Sequence, residues 1–232
     1  MAEQQLSELI PRFDLRGMDL QLERMRHALQ DLGSPCGEIP AIQVAGTNGK
    51  GSIASFLSAA LQQAGIRSGV TTSPHLVSWC ERIAINGVPI SEGDLRQLLL
   101  AQQQLCAKHR LTPFEQLLAA ALAHFHTEAV ELLVLEVGLG GRLDATTAHP
   151  RRPVIAMASI GLDHCEHLGS TLTAIAEEKA AVITPGAQVI SAEQPAPVRE
   201  VLEKTCSANN SFLRWVDPLP SDWCLGLAGD WQ

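Results

Sequence analysis

Residues Gly46-Thr47-Asn48-Gly49-Lys50-Gly51-Ser52 place three glycines, a lysine and a hydroxyl between a short apolar run, Ile42 to Ala45, and a stretch of helical character. A strand that turns tightly through glycines into a helix aims backbone N–H groups and the positive helix end at an anion. Lys50 can reach the β and γ phosphates of a nucleotide, and the Ser52 hydroxyl can ligate the Mg²⁺ that accompanies ATP. Thr47, Asn48, Gly49, Lys50, Gly51 and Ser52 are therefore the candidate nucleotide-binding residues. The pattern G-x-x-x-x-G-K-[ST] is not met strictly, because Val44 occupies the first glycine position and Gly51 separates Lys50 from Ser52.

A second chemical group lies at the end of another apolar run. Leu132 to Val137 carries Glu136 and leads into Gly138-Leu139-Gly140-Gly141-Arg142-Leu143-Asp144-Ala145-Thr146. A carboxylate inside an apolar strand needs a partner, and Mg²⁺, a backbone amide or a cation such as Arg142 would each serve.

Further along, Asp163-His164-Cys165-Glu166-His167 follows a third apolar run. Two histidines flanking a cysteine could suggest zinc, but they crowd one loop and no second cluster follows at zinc spacing. Lys179, within Glu177-Glu178-Lys179-Ala180, reads from its surroundings as a solvated helix lysine. Ser73-Pro74 is a turn signal. Thr112-Pro113-Phe114-Glu115 is a helix start with Thr as N-cap, Pro at the first position and Glu at the third.

The elements that must hold these groups alternate. Strand-length apolar runs are expected at Ala41 to Ala45, Ile66 to Thr71, Ile83 to Ile85, Leu132 to Val137, Val154 to Ser159 and Gln188 to Ser191. Helices are expected over Asp19 to Leu32, Lys50 to Ala64, Ser91 to His109, Pro113 to Ala129, Thr171 to Ile183 and Pro197 to Ser207, with Ser91 and Asp94 as a cap and Gly65 as a C-terminal stop. This order predicts an α/β fold with a mainly parallel sheet flanked by helices, and a ligand site beyond the carboxyl ends of its strands. One domain is expected over residues 1–208. From about Asn209, Trp215, Pro218, Pro220, Trp223 and Trp231 come without periodicity and suggest an irregular tail or a domain cut short.

The 232 residues are 46% hydrophobic, enough for a sizeable core. Seventeen basic against 25 acidic residues leave a net charge of −8, and no basic cluster argues for nucleic acid. The first residues lack the basic start and apolar run of a secretory signal, and no stretch is long enough to span a bilayer. Six scattered cysteines read as reduced thiols. A cytoplasmic monomer with small-molecule partners is expected.

The run Ala45 to Ser52 resembles the nucleotide loop of the Mur ligase superfamily, in its folylpolyglutamate synthase/dihydrofolate synthase branch. The Glu136 to Thr146 run, the Ser159 to Gly169 run and Thr72-Ser73-Pro74-His75-Leu76 resemble the same branch. The resemblance implies a P-loop NTPase-like central domain and a ligase that uses ATP to form an amide between dihydropteroate or a folate and glutamate, through an acyl phosphate. It implies two Mg²⁺ ions held by Ser52, Ser73, Glu136, His164 and a Lys179 carbamylated by CO₂. Lys50, Lys179 and His164 take catalytic roles in this picture, and Thr112, Pro113, Phe114, Glu115, Leu143, Asp144 and Ala145 contact the substrate. Weaker matches run through Leu22 to Met25 and Leu32 to Pro35, with Asp19 and Leu20 near a pterin pocket.

Two positions depart from the family pattern: Thr147 stands where Asn is usual, and Ala181 where Gly is usual. Relatives carry a later nucleotide-contacting motif and a C-terminal Rossmann-like domain, and neither is matched before Gln232. A catalytically incomplete nucleotide-binding module and, less favoured, a cell-wall Mur ligase are the competing expectations.

Overall fold

The computed structural model describes residues 2–10 and 21–217. The expected contacts of Asp19 and Leu20, and the tryptophans at 223 and 231, lie outside them. Eight strands form one sheet among the described residues: β1 (Ala41–Ala45), β2 (Ser68–Thr71), β3 (Ile83–Ile85), β4 (Val88–Pro89), β5 (Leu132–Glu136), β6 (Val154–Met157), β7 (Gln188–Ser191) and β8 (Phe212–Trp215). Their order is β4-β3-β2-β5-β1-β6-β7-β8. The six strands from β2 to β8 in that order are parallel, and β3 and β4 add an antiparallel edge.

The helices are α1 (Ala2–Leu9), α2 (Leu22–Asp31), α3 (Lys50–Gln63), α4 (Glu92–Ala101), α5 (Gln103–His109), α6 (Pro113–Thr127), α7 (Cys165–Leu168), α8 (Leu172–Ala180) and α9 (Ala196–Ala208). On one face of the sheet, Leu6, Met25, Leu95, Leu122 and Phe125 pack with Leu133 and Leu135 of β5. On that same face, Ile175, Val198 and Leu202 from α8 and α9 pack with Ile155, Met157 and Val189. Full burial of each such Leu, Ile or Phe contributes roughly 1.5–3 kcal/mol. The other face carries α3, whose Ile53, Ala54, Leu57 and Leu61 meet Val44, Val70 and Val134.

Local chemistry explains the boundaries. Ser91 caps α4 by accepting from the Asp94 amide, as expected. At α6 the Thr112 side chain and Glu115 form a full capping box with Pro113 at the helix start. The helix expected over Ser91 to His109 is in fact two, α4 and α5, separated at Gln102, whose backbone (φ −97°, ψ 3°) leaves the helical well. No glycine or proline marks that break; the buried Gln102 amide instead reaches the Ala119 carbonyl of α6.

Beyond residue 208, where an irregular tail was expected, β8 pairs in parallel with β7. Its residues alternate between exposed and half-buried, so no continuous apolar run announces it. Arg199 of α9 lies over the Trp215 ring, its guanidinium 4.3 Å from the ring centre.

A buried polar hub ties the two halves of the packed face together. Gln43, fully buried in β1, donates to the hydroxyls of Thr146 and Thr147, each at 2.9 Å, and accepts from Arg152. Arg152 donates further to the carbonyls of His149 (2.9 Å) and Val182 (2.9 Å). Thr147, at the position where the resemblance expects Asn, also donates to the Gly141 carbonyl at 2.8 Å.

Candidate functional site

The loop between β1 and α3 is built as its sequence suggested. Gly46 has φ +133°, and a Cβ there would stand 2.7 Å from that of Ala158, so only glycine lets β1 turn against β6. Gly49, in the left-handed region (φ 88°), starts α3. The amides of Thr47 and Asn48 are tied to the Ser159 carbonyl at 2.8 and 3.3 Å, and the Thr47 hydroxyl exchanges hydrogen bonds with the backbone of Gly161. The first bond of α3 runs from Ile53 to Gly49, so helix geometry turns the amides of Lys50, Gly51 and Ser52 outward. Lys50 Nζ folds onto the Thr47 carbonyl at 3.0 Å, and Ser52 is exposed at the helix start.

Glu136 ends β5 beside this loop. It is 4% exposed, and a Cβ on Gly51 would meet its carboxylate oxygens at 3.8 and 3.9 Å. The Ser73 backbone amide donates to Glu136 Oε2 at 3.0 Å. Burial raises the carboxyl above its ordinary range, while that amide and the charges of Lys50 and Arg82 pull it back. Its second oxygen accepts no hydrogen bond among the described residues. A buried carboxylate with spare lone pairs, a hard oxygen donor beside the phosphate loop, fits Mg²⁺. Of the partners left open for Glu136, Arg142 is excluded as an ion pair, because it holds Glu178 at 3.0 Å.

Lys179 differs most from its local reading. It is 4% exposed, near the end of α8, and its Nζ donates to the Gly46 carbonyl at 2.9 Å. Burial, together with the nearby Lys50 charge, lowers it to about 8. Nothing in the pattern Glu177-Glu178-Lys179 signals this, because its hydrogen-bond partner is the distant loop after β1.

Ser73 reaches Glu136 through its backbone. Glu81 organises the rest of that loop by accepting from the amides of Leu76, Val77 and Ser78 at 2.8–2.9 Å, which holds its carboxyl low. Arg82, which the sequence reading passed over, is 8% exposed and donates to His75 Nδ1 at 2.8 Å. Its guanidinium lies 5.1 Å from the Trp79 ring centre. A charge sitting between Cys80 and Ile83, both buried, was the available signal.

His164 adopts φ 47° at the start of α7, with Asp163 Oδ2 at 3.7 Å and Glu166 Oε1 at 3.9 Å. His167 also faces Glu166, at 3.8 Å. No three His, Cys, Asp or Glu side chains among the described residues converge as a metal-binding group. The His164 loop is joined to the phosphate loop by the Thr47–Gly161 bonds rather than by the imidazole itself.

The expected substrate residues divide. Asp144 is 1% exposed and accepts from the amides of Gly138 (2.9 Å), Leu139 (3.1 Å) and Thr146 (2.9 Å) and from the Thr146 hydroxyl (2.5 Å). It shapes the glycine-rich loop from inside. Burial pushes its carboxyl up, and those four donors oppose the shift. Ala145 is likewise buried, whereas Leu143 is 41% exposed. The far edge of the Phe114 ring closes on Gly138, where a Cβ would stand 2.9 Å from Cζ.

Glu115 is occupied twice over. It closes the α6 cap through the Thr112 amide at 2.7 Å and forms a bidentate pair with Arg24 of α2 at 3.0–3.2 Å, with both side chains largely buried. Replacing Glu115 with alanine is expected to destabilise the protein by about 3 kcal/mol or more, because the largely buried pair with Arg24 and the α6 cap are lost together. Chemical denaturation of the variant against wild type measures it, and a loss under about 1 kcal/mol would show that the pair is solvated.

Residues 44–209 match the model of the Mur ligase middle domain. The chain is 38% identical over 206 residues to the dihydrofolate synthetase of Saccharomyces cerevisiae, a match spanning 86% of this chain and 48% of that protein. It is 38% identical over 184 residues to the dihydrofolate synthase/folylpolyglutamate synthase of Bacillus subtilis, covering 76% of this chain and 42% of the relative. Among solved structures, E. coli FolC in complex with DHPP and ADP superposes with a TM-score of 0.83 at 31% identity, over 92% of this chain and 51% of that one. Mycobacterium tuberculosis folylpolyglutamate synthase complexed with ADP and AMPPCP gives 0.79 at 36% identity, over 92% and 50%. The chain therefore spans about half the length of the relatives it matches.

Proposed function

Because the chain belongs to the Mur ligase family through its middle domain, we propose that it carries the ATP-handling half of a ligase joining the carboxylate of dihydropteroate or a reduced folate to the amino group of glutamate. The observation that carries this reading is the gathering of three groups around one loop: the outward amides of Lys50 to Ser52, the buried Glu136 carboxylate beside Gly51 and the buried Lys179 amine on the Gly46 carbonyl. A site that holds polyphosphate needs amides and a lysine, and one that also activates a carboxylate needs further cationic charge beside it.

A substrate carboxylate oxygen attacks the γ-phosphorus, the bond to the ADP oxygen breaks, and an acyl phosphate results. The glutamate amine then attacks the acyl carbon, phosphate leaves and the amine gives up its proton. Lys50 neutralises charge on the transferred group, and the helix amides hold the phosphate oxygens in line. When bound, Mg²⁺ supplies charge neutralisation between the phosphates and the attacking carboxylate. Ser52 and Glu136 would hold one ion; Glu136, His164, Ser73 and a Lys179 carbamate would hold the second. Leu76 (92% exposed), Leu143 (41%) and Leu162 (62%) all stand on loops beyond the carboxyl ends of β2, β5 and β6, and offer apolar surface to the aromatic part of a folate. Thr112 to Glu115, Asp144 and Ala145 act by shaping that wall.

The test is ADP release from ATP by the protein at its natural length, given dihydropteroate or tetrahydrofolate together with glutamate. Release that needs all three components supports the assignment, and turnover with UDP-muramoyl substrates instead would overturn it. Because the chain spans about half of its relatives' length, a module that binds ATP without making the amide is the second reading. It predicts calorimetric ATP binding with no product under the same conditions.

A further inference from the structure

At the other end of the sheet, before the first residues of β1 and β6, α2 and two connecting loops enclose an open pocket lined by Arg26, Gln30, Ser34, Thr147, His149 and Arg152. From the ends of their strands, this pocket lies across the sheet from the phosphate loop, and none of its residues belongs to the site described above. We propose that it binds a small oxyanion, a phosphate or carboxylate group gripped by the Arg26 and Arg152 guanidinium groups.

Arg152 is the main reason. It is 8% exposed, so its charge is largely stripped of water. Its hydrogen bonds go to neutral acceptors through Nε and one terminal nitrogen: the carbonyls of His149 and Val182 and the amide oxygen of Gln43. No carboxylate is among them, which is unusual for a buried arginine. The second terminal nitrogen has no hydrogen-bond partner among the described residues and is not sealed from solvent, and Arg152 is one of the residues that line the pocket.

A second charge sits close enough for Arg152 to feel it. Burial first, and the Arg26 charge after it, lower Arg152 to about 10, against a weaker opposing pull from the buried Asp144 carboxylate, which makes no hydrogen bond to it. Two guanidinium groups whose charges oppose each other, one of them buried, are relieved by an anion between them, and the planar fork matches the oxygens of phosphate or carboxylate. Glu23 pairs with Arg26 at 2.5 Å from the solvent side, where both side chains are exposed, and so competes only weakly for it. His149, 2% exposed, is engaged through Nε2 with the Ile39 carbonyl at 2.8 Å and adds no negative charge.

The pocket differs from the phosphate loop in kind: it offers guanidinium forks, where the loop offers amides and an ammonium group. It is suited to a compact anion such as a free phosphate, a phosphate monoester or a dicarboxylate. Through Arg152 and Gln43 the occupant would contact β1, the strand that ends in Gly46.

Calorimetric titration of the Lys50→Ala chain with inorganic phosphate and, separately, with succinate tests the proposal, since that background weakens the phosphate loop as a competing site. Saturable binding of at least one anion is expected, weakened tenfold or more by adding Arg26→Ala, a largely exposed side chain whose loss leaves the core intact. The anion that binds more tightly identifies the class. Binding that Arg26→Ala leaves unchanged, or no binding of either anion at tens of millimolar, would overturn it.

Discussion

Lys50→Ala is expected to lower the affinity of the chain for ATP by about 10- to 100-fold, the worth of one or two charge-assisted hydrogen bonds to phosphate at roughly 1.5–3 kcal/mol. The fold should survive. Lys50 is only half-buried and its Nζ spends its hydrogen bond on the Thr47 carbonyl inside its own loop, so the melting temperature should move by no more than a degree or two. Calorimetry with ATP and ADP on the same preparations gives the answer. The loss should be larger for ATP if Lys50 reaches the β and γ phosphates, as proposed. Equal losses for the two nucleotides would mean that the lysine senses overall charge only.

Replacing Lys179 should have the larger effect on turnover, about 10²- to 10³-fold, the usual scale for removing one preorganised charge from a transition state. The physical reason lies in its depressed basicity. At about 8, against an ordinary 10.5, a substantial share of the side chain is the neutral amine near pH 8. Only that form can attack CO₂: the nitrogen lone pair forms the N–C bond, a C=O pair moves to oxygen, and the ammonium proton is released. Native mass spectrometry should detect one CO₂ adduct, increasing from pH 7 to 9 and absent from Lys179→Ala. A chain with full turnover and no adduct would exclude the carbamate.

The same depression sets a stability signature. Below pH 8 the lysine is charged in both folded and unfolded chains, and burying that charge costs the folded state in full. Between about 8 and 10.5 the folded chain gives up its proton first, so stability rises with pH, by up to about 3 kcal/mol for a shift of this size. Lys179→Met should flatten that rise.

These residues also show what a sequence can and cannot disclose. Gly46 to Ser52 is legible because the chemistry of gripping phosphate is local: seven consecutive residues supply turn, amides, charge and hydroxyl. Glu136 is legible because a carboxylate in an apolar strand is out of place. Lys179 is not, since its hydrogen-bond partner is a loop 133 positions away, and in its own helix it looks like any solvated lysine. Thr112 to Glu115 was legible as a helix start, but its ion pair with Arg24 spans 91 positions and leaves no local trace. The division at Gln102 and the strand β8 escaped for a related reason, as neither carries a breaker or a continuous apolar run.

Gln43 constrains how this protein can change over generations. Its single side chain serves as donor to two hydroxyls and acceptor for one guanidinium, so each of the four positions 43, 146, 147 and 152 limits the others. Gln43→Leu alone would take one acceptor from the buried Arg152 and one donor from each of two buried hydroxyls, and Arg152→Leu alone would leave an amide oxygen without a donor. Viable drift at these positions therefore has to be concerted, and descendants of this chain should show the four residues exchanged as a set.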